Sequence, residues 1–164
     1  MTKTLTHKRL TEVMDYNPDD GLFRWAVVRK KCTKGTVAGS TRADGYVTIR
    51  IDYKRYYAHR LAWFYMTKEW PQKIVDHKDM NPTNNKFENL RLATPTQSVQ
   101  NRGVQRNNLS SLKGVKRTKD GKFYAMINVD KKARYLGSFD DKELAHDAYV
   151  RAAKKHFGEF ARAN

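Results

Sequence analysis

Cysteine is almost absent. Cys32 is the only one in 164 residues, so no disulfide closes within one chain and no cysteine-rich zinc site can be built. Long apolar runs are missing too: no stretch approaches the ~20 apolar residues of a spanning helix. The opening MTKTLTHKRLTEVMDY lacks the apolar core of a secretory signal, so the chain is expected to stay in the cytoplasm, away from membranes. Acidic residues are scarce, with 17 Asp and Glu against 33 Lys and Arg, a formal charge of +16 and a pI of about 10.0. That imbalance exceeds what solubility asks for. Phosphate-rich nucleic acids reward it through counterion release and are the expected partner; a membrane surface is the rival, and no protein partner is evident.

The length leaves room for one medium domain or two small ones, and the patterning favours two. Residues 1–21 read as a short amphipathic helix with Leu5, Leu10, Val13 and Met14 on its apolar side, stopped by Asn17-Pro18-Asp19-Asp20-Gly21. Leu22 to Val28 and Gly45 to Tyr57 have strand character, and the alternation in Tyr46-Val47-Thr48-Ile49-Arg50-Ile51 indicates a small antiparallel sheet. His59 to Met66 reads as a compact helix closed by Pro71, with Trp63 and Trp70 as packing groups. Next come a short strand, Ile74-Val75-Asp76-His77, a loop over 81–85, a second strand, Leu90-Arg91-Leu92, and Thr94 as an N-cap before Pro95. Residues 99–111 are polar and basic without apolar periodicity and read as a helix end running into a linker.

Three strands are expected beyond it: Leu112 to Lys116, Lys122 to Val129 and Ala133 to Phe139. A helix follows Asp141, with Leu144, Ala148, Ala152 and Ala145, Tyr149, Ala153, Phe157 forming one wide side against that sheet. His7, His146 and His156 read as surface groups. The fold class is α+β with two separate cores.

Chemistry concentrates at Asp76-His77. Phosphodiester hydrolysis needs an activated water and a cation that stabilises charge on the leaving oxygen, and one His with one carboxylate-held metal supplies both. Neighbouring strand residues face opposite sides, so the pair serves one site only where the strand ends and twists into the loop that follows.

Over roughly residues 40–108 the sequence resembles the HNH endonucleases, in particular the phage and intron-encoded homing group. The resemblance is carried by His59-Arg60-Leu61-Ala62-Trp63, Val75-Asp76-His77, Asn84-Asn85, Glu88-Asn89-Leu90-Arg91-Leu92-Ala93-Thr94 and Gln100-Asn101-Arg102. It implies a ββα-metal nuclease unit in which His77 is the general base, Asp76 binds a single divalent cation, Mg²⁺ or Mn²⁺, and Asn85 holds the loop that aims His77. The family's second metal ligand, Asn or His on the following helix, is Ser98 here. A neutral hydroxyl is a poor ligand, so the cation is held through water, by Gln97 or Asn101, or weakly.

Residues 112–164 resemble the plant ethylene-response-factor (apetala-type) DNA-binding domain through Gly114-Val115-Lys116, Gly121 to Ile127, Tyr135 to Phe139 and Ala145 to Tyr149 with Gly158-Glu159-Phe160. It implies a three-stranded antiparallel sheet packed on one helix, with the exposed sheet face in the major groove of double-stranded DNA. Alternation sends Tyr124, Met126 and Asn128 outward, with Tyr135 among the exposed positions. Lys113, Lys116, Arg117, Lys122 and Arg134, with Arg102 before them, are the candidate phosphate contacts. Several Arg and Trp positions of the plant domain differ here, so sequence preference does not carry over.

The expected organisation is an HNH domain over 1–98 with its metal core at about 73–104, a basic linker over 99–111, and a DNA-binding domain over 112–164. The expected activity is metal-dependent DNA cleavage by a phage homing enzyme working in the bacterial host cytoplasm. Two rivals stand beside it: a DNA-binding regulator whose HNH unit has decayed at Ser98, and an RNA-binding protein.

Overall fold

The computed structural model describes residues 4–28, 32–104, 108 and 110–162, and these form two compact units that divide between Thr94 and Pro95. In the first, α1 (His7–Val13) starts on Thr6, whose hydroxyl accepts the Arg9 N–H at 3.2 Å. It runs straight into β1 (Met14–Asn17), which is antiparallel to β2 (Leu22–Trp25), with Met14 opposite Trp25. The helix read over residues 1–21 therefore ends at Val13. Met14 and Tyr16 are buried while Asp15 and Asn17 are exposed, an alternation that pairing with β2 rewards, and that ladder outweighs a weak local helix propensity.

The next sheet has the order β3 (Ser40–Thr41), β4 (Val47–Ile51), β5 (Lys54–Tyr57). Asp52 and Tyr53, both at positive φ (45° and 66°), make the tight turn between β4 and β5. α2 (Ala58–Thr67) packs its Leu61, Ala62 and Phe64 onto a core that also takes Leu10, Met14, Phe23, Ile49 and Ile51. Trp70 stacks on Phe64 at 4.3 Å and on Tyr56 at 5.7 Å, and Trp63 lies 5.5 Å from Phe87, so both tryptophans pack rather than project. The unit closes with the hairpin β6 (Ile74–His77) and β7 (Leu90–Ala93).

The second unit begins with α3 (Pro95–Gln100). Its sheet has the order β10 (Lys132–Phe139), β9 (Phe123–Val129), β8 (Val115–Arg117), backed by α4 (Lys142–Phe157). Asp141 caps α4, accepting the N–H groups of Glu143 at 2.8 Å and Leu144 at 2.9 Å. Ala145, Tyr149 and Ala153 form its buried face, whereas Leu144, expected there, is 57% exposed in the first turn. Gly114, at φ +76°, lies where any Cβ would enter the Tyr149 ring, so the approach of sheet and helix depends on glycine there.

Part of the stretch read as a linker is folded: Ser110 is buried, and its hydroxyl donates to the Val115 carbonyl at 2.9 Å. Gln105, Arg106 and Asn107 lie outside the described residues. His7 and His146, read as surface groups, are half-buried; the His7 ring hydrogen-bonds Tyr65 O at 2.9 Å, the His146 ring Lys113 O at 3.0 Å. No helix among the described residues is long and apolar enough to cross a membrane.

Candidate active site

The β6–β7 hairpin sets Asp76 opposite Arg91 and His77 opposite Leu90, and a twelve-residue excursion joins the strands. That loop is organised by Asn and Asp side chains rather than by regular structure. Asp79 is its hub, its carboxylate accepting from Asn84 Nδ2 at 2.7 Å, the Asn81 N–H at 2.8 Å and Asn89 Nδ2 at 2.9 Å. Partial burial raises the Asp79 pKa, but these donors, with His77 nearby, bring it below the usual carboxylate range. Asn89 also donates to Asn84 O at 2.8 Å and accepts the Asp79 N–H at 3.1 Å, so the two ends of the loop are tied together.

Asn85 is the product of that organisation. Its Nδ2 donates to Thr83 O at 3.2 Å, which turns Oδ1 toward His77 Nε2 at 3.1 Å. An amide oxygen only accepts, so Nε2 carries the proton in the neutral imidazole and Nδ1 keeps the basic lone pair. The Asn85 backbone is held as firmly: the Tyr16 hydroxyl donates to Asn85 O at 2.7 Å, and burial raises the Tyr16 pKa, so it stays a donor. Gly21, at φ +72°, packs so closely on Asn85 and Lys86 that a Cβ would enter their backbone. The N-terminal hairpin thus braces the residue that aims the imidazole.

The remaining faces of His77, itself 5% exposed, meet rings: His59 lies edge-on at 5.1 Å and Tyr46 at 5.9 Å. His59 is also buried, its Nδ1 has no hydrogen-bond partner among the described residues, and burial foremost, then His77 and Arg60, pushes its pKa down to about 3. It is a neutral imidazole in the folded protein. Between about pH 6.5 and pH 3 the unfolded chain binds a proton here that the native state refuses, so stability is retained above pH 6.5 and falls on acidification. Urea denaturation at pH 7 and pH 5 should show a loss of about 2 kcal/mol from this group. His59→Phe should remove that component; an equal loss in both proteins would show that His59 does not titrate this way.

Asp76, one position before His77, has a different partner: its Oδ2 accepts from Arg91 Nε at 3.2 Å, with side-chain exposures of 11% and 8%. Ser98 lies half-buried in α3, and Arg102, exposed, follows it in the second unit. Among the described residues no group of three or more His, Cys, Asp or Glu side chains is arranged to hold a metal. The Asp76 carboxylate is an oxygen donor of the kind a hard cation takes; it belongs to the first unit, Ser98 to the second.

In the second unit, the outward positions of β9 hold Tyr124, Met126 and Asn128, with Lys116 opposite Tyr124 and Tyr135 opposite Met126; the Tyr124 and Tyr135 rings are 6.4 Å apart. Arg117 and Arg134 pair with Phe123 and Ile127, so they lie toward the other side of the sheet, both exposed. Lys122 is exposed and bridges Asp140 at 3.1 Å. Lys113 turns inward, donating to Gln100 O at 2.6 Å and Arg102 O at 2.7 Å, and burial foremost, with Arg162, pushes its pKa down to about 8. It secures the end of α3 before any phosphate.

A family profile described as HNH endonuclease matches residues 56–100. An uncharacterized HNH endonuclease of Acanthamoeba polyphaga mimivirus is 34% identical over 90 residues, 55% of this chain and 46% of that protein. Protein 3.8 of Escherichia phage T7 is 30% identical over 120 residues, 70% of this chain and 98% of its own length. The chain carries an HNH endonuclease domain. Its HNH segment contains His59, Asp76, His77, Asn85 and Ser98, and ends before β8, so the second sheet lies outside the match. The chain spans about half of the mimivirus relative. No solved structure matches it.

Tyr16, Gly21, Tyr46 and Asp79 are the supporting residues that sequence reasoning missed. Asp79 had a signal, since a carboxylate followed at short range by four Asn is a loop-building pattern. The other three act from distant segments and had none.

Proposed function

We propose that this HNH protein is a divalent-cation-dependent DNA endonuclease in which His77 is the general base. The observation that carries the reading is the Asn85 Oδ1 to His77 Nε2 contact at 3.1 Å, which orients the ring and, in the neutral imidazole, makes Nδ1 the basic nitrogen. On this reading β6 and β7 would be the two strands of a ββα-metal unit; the family resemblance gives Asp76 as a ligand of Mg²⁺ or Mn²⁺ and Ser98 as the position of a second. A bound cation would supply the positive charge that stabilises the leaving oxygen. The protein's own share is to pack the His77 ring against His59 and Tyr46, to aim it through Asn85, and to hold the proton it receives.

The second unit is read as an ethylene-response-factor-type domain that grips duplex DNA, with Lys116, Tyr124, Met126, Asn128 and Tyr135 on the contacting face. Arg102, Arg117, Lys122 and Arg134, all exposed, are further candidate phosphate contacts. Homing by a phage-borne enzyme in the host cytoplasm is the biological role this implies. A second reading has its own support in the Asp76–Arg91 pair, which occupies a carboxylate oxygen the cation would want: a DNA-binding protein with a weakened nuclease centre. Cation-dependent cleavage of duplex DNA by the purified protein tests the two readings, with EDTA as control.

A further inference from the structure

The register of β3, β4 and β5 places Ser40, Thr48, Arg50, Arg55 and Tyr57 on one face of that sheet, while Val47, Ile49, Ile51 and Tyr56 turn to the core. The hydrogen bond from the Arg42 N–H to Tyr46 O at 2.9 Å extends the ladder and brings Arg42 and Tyr46 onto the same face. Arg50 and Arg55 are direct cross-strand partners, both exposed. Arg50 also lies over the Tyr53 ring at 5.9 Å, and with Arg42 and Arg55 it puts three exposed guanidinium groups on this face of a chain of net charge +16.

The same face runs to the catalytic histidine through ring contacts. Arg42 lies over the Tyr57 ring at 5.8 Å; Tyr57 is 5.7 Å from Tyr46 and 5.4 Å from His59, and Tyr46 is 5.9 Å from His77. On that face the Arg50–Arg55 pair follows the Thr48–Tyr57 pair along the ladder, so a duplex that approaches His77 across Tyr57 also passes these guanidinium groups. Guanidinium is suited to the DNA backbone, since its planar fork binds phosphate oxygens in pairs.

We infer that the outer face of the β3–β4–β5 sheet is a second DNA-binding surface, within the nuclease unit itself, on which Arg50 and Arg55 grip the backbone of duplex DNA beside the scissile phosphate. This rests on the reading of His77 as the base for DNA cleavage. It assigns to the first unit a share of substrate binding independent of the sheet of the second.

The test compares the full chain with Arg50→Ala/Arg55→Ala and Arg50→Lys/Arg55→Lys. Binding to a duplex of fixed length is measured in EDTA, where no cleavage follows, across a salt series. The Ala double variant should lower the slope of log affinity against log salt by about 1.8 and weaken binding roughly tenfold near 0.1 M salt. The Lys double variant should restore the slope, because charge rather than packing is the cause. Cleavage assays should assign the loss to KM rather than kcat. An unchanged slope in the Ala variant, a loss that Lys does not restore, or a loss confined to duplex RNA of the same length would overturn the inference. Failure of the wild type to cleave DNA would instead remove the base reading while leaving the slope measurement valid, so the two failures are separable.

Discussion

Replacing His77 with Ala should lower the rate of DNA cleavage by about 10²–10⁴-fold, the usual contribution of a positioned general base, while DNA is bound nearly as before. The side chain is 5% exposed and hydrogen-bonded to Asn85, so it contributes little to a binding surface. On the proposed reading the variant lacks the acceptor for the proton of the attacking water and keeps the arginines and second sheet assigned to DNA binding. Single-turnover cleavage and a binding isotherm on the same duplex make the comparison. Cleavage at wild-type rate would show that another group activates the water.

Asn85→Ala is expected to lower kcat by roughly 10–100-fold, the range seen when a group that orients a reactive His is lost. Two effects combine. The Nε2–H of His77 loses its acceptor in a buried site, an unsatisfied donor that costs about 1–3 kcal/mol, and the ring becomes free to turn over or change tautomer. The backbone of residue 85 is held independently by Tyr16 and by the close approach of Gly21, so the loop should remain folded. The signature of an aiming role is therefore a fall in kcat with KM and fold preserved. A fall in KM-dependent binding alone would assign Asn85 to substrate contact instead.

The parts of this site legible in the sequence were those encoded locally. Ile74 to His77 forms the strand its pattern indicates, and the outward set Tyr124, Met126 and Asn128 follows from period-two alternation in β9. What lay hidden was set by partners far along the chain. Met14–Asn17 is a strand because β2 pairs with it, although its apolar spacing also suits a helix. Lys113 had the look of a phosphate contact, but two carbonyls at the end of α3 claim its ammonium, a relation that charge counting does not contain. Asp76 and His77 are adjacent in sequence yet engage Arg91 and Asn85 respectively, partners that adjacency does not reveal.

That His77 works as the base of a DNA-cleaving centre is tested most directly by incubating the purified chain and its His77→Ala variant with a pool of random-sequence duplexes. Mg²⁺, Mn²⁺ or EDTA is present, and the new DNA ends are sequenced. New ends that require both the cation and His77 are the expected outcome. An absence of cleavage by the wild type under every metal condition, or equal cleavage by the variant, would contradict it.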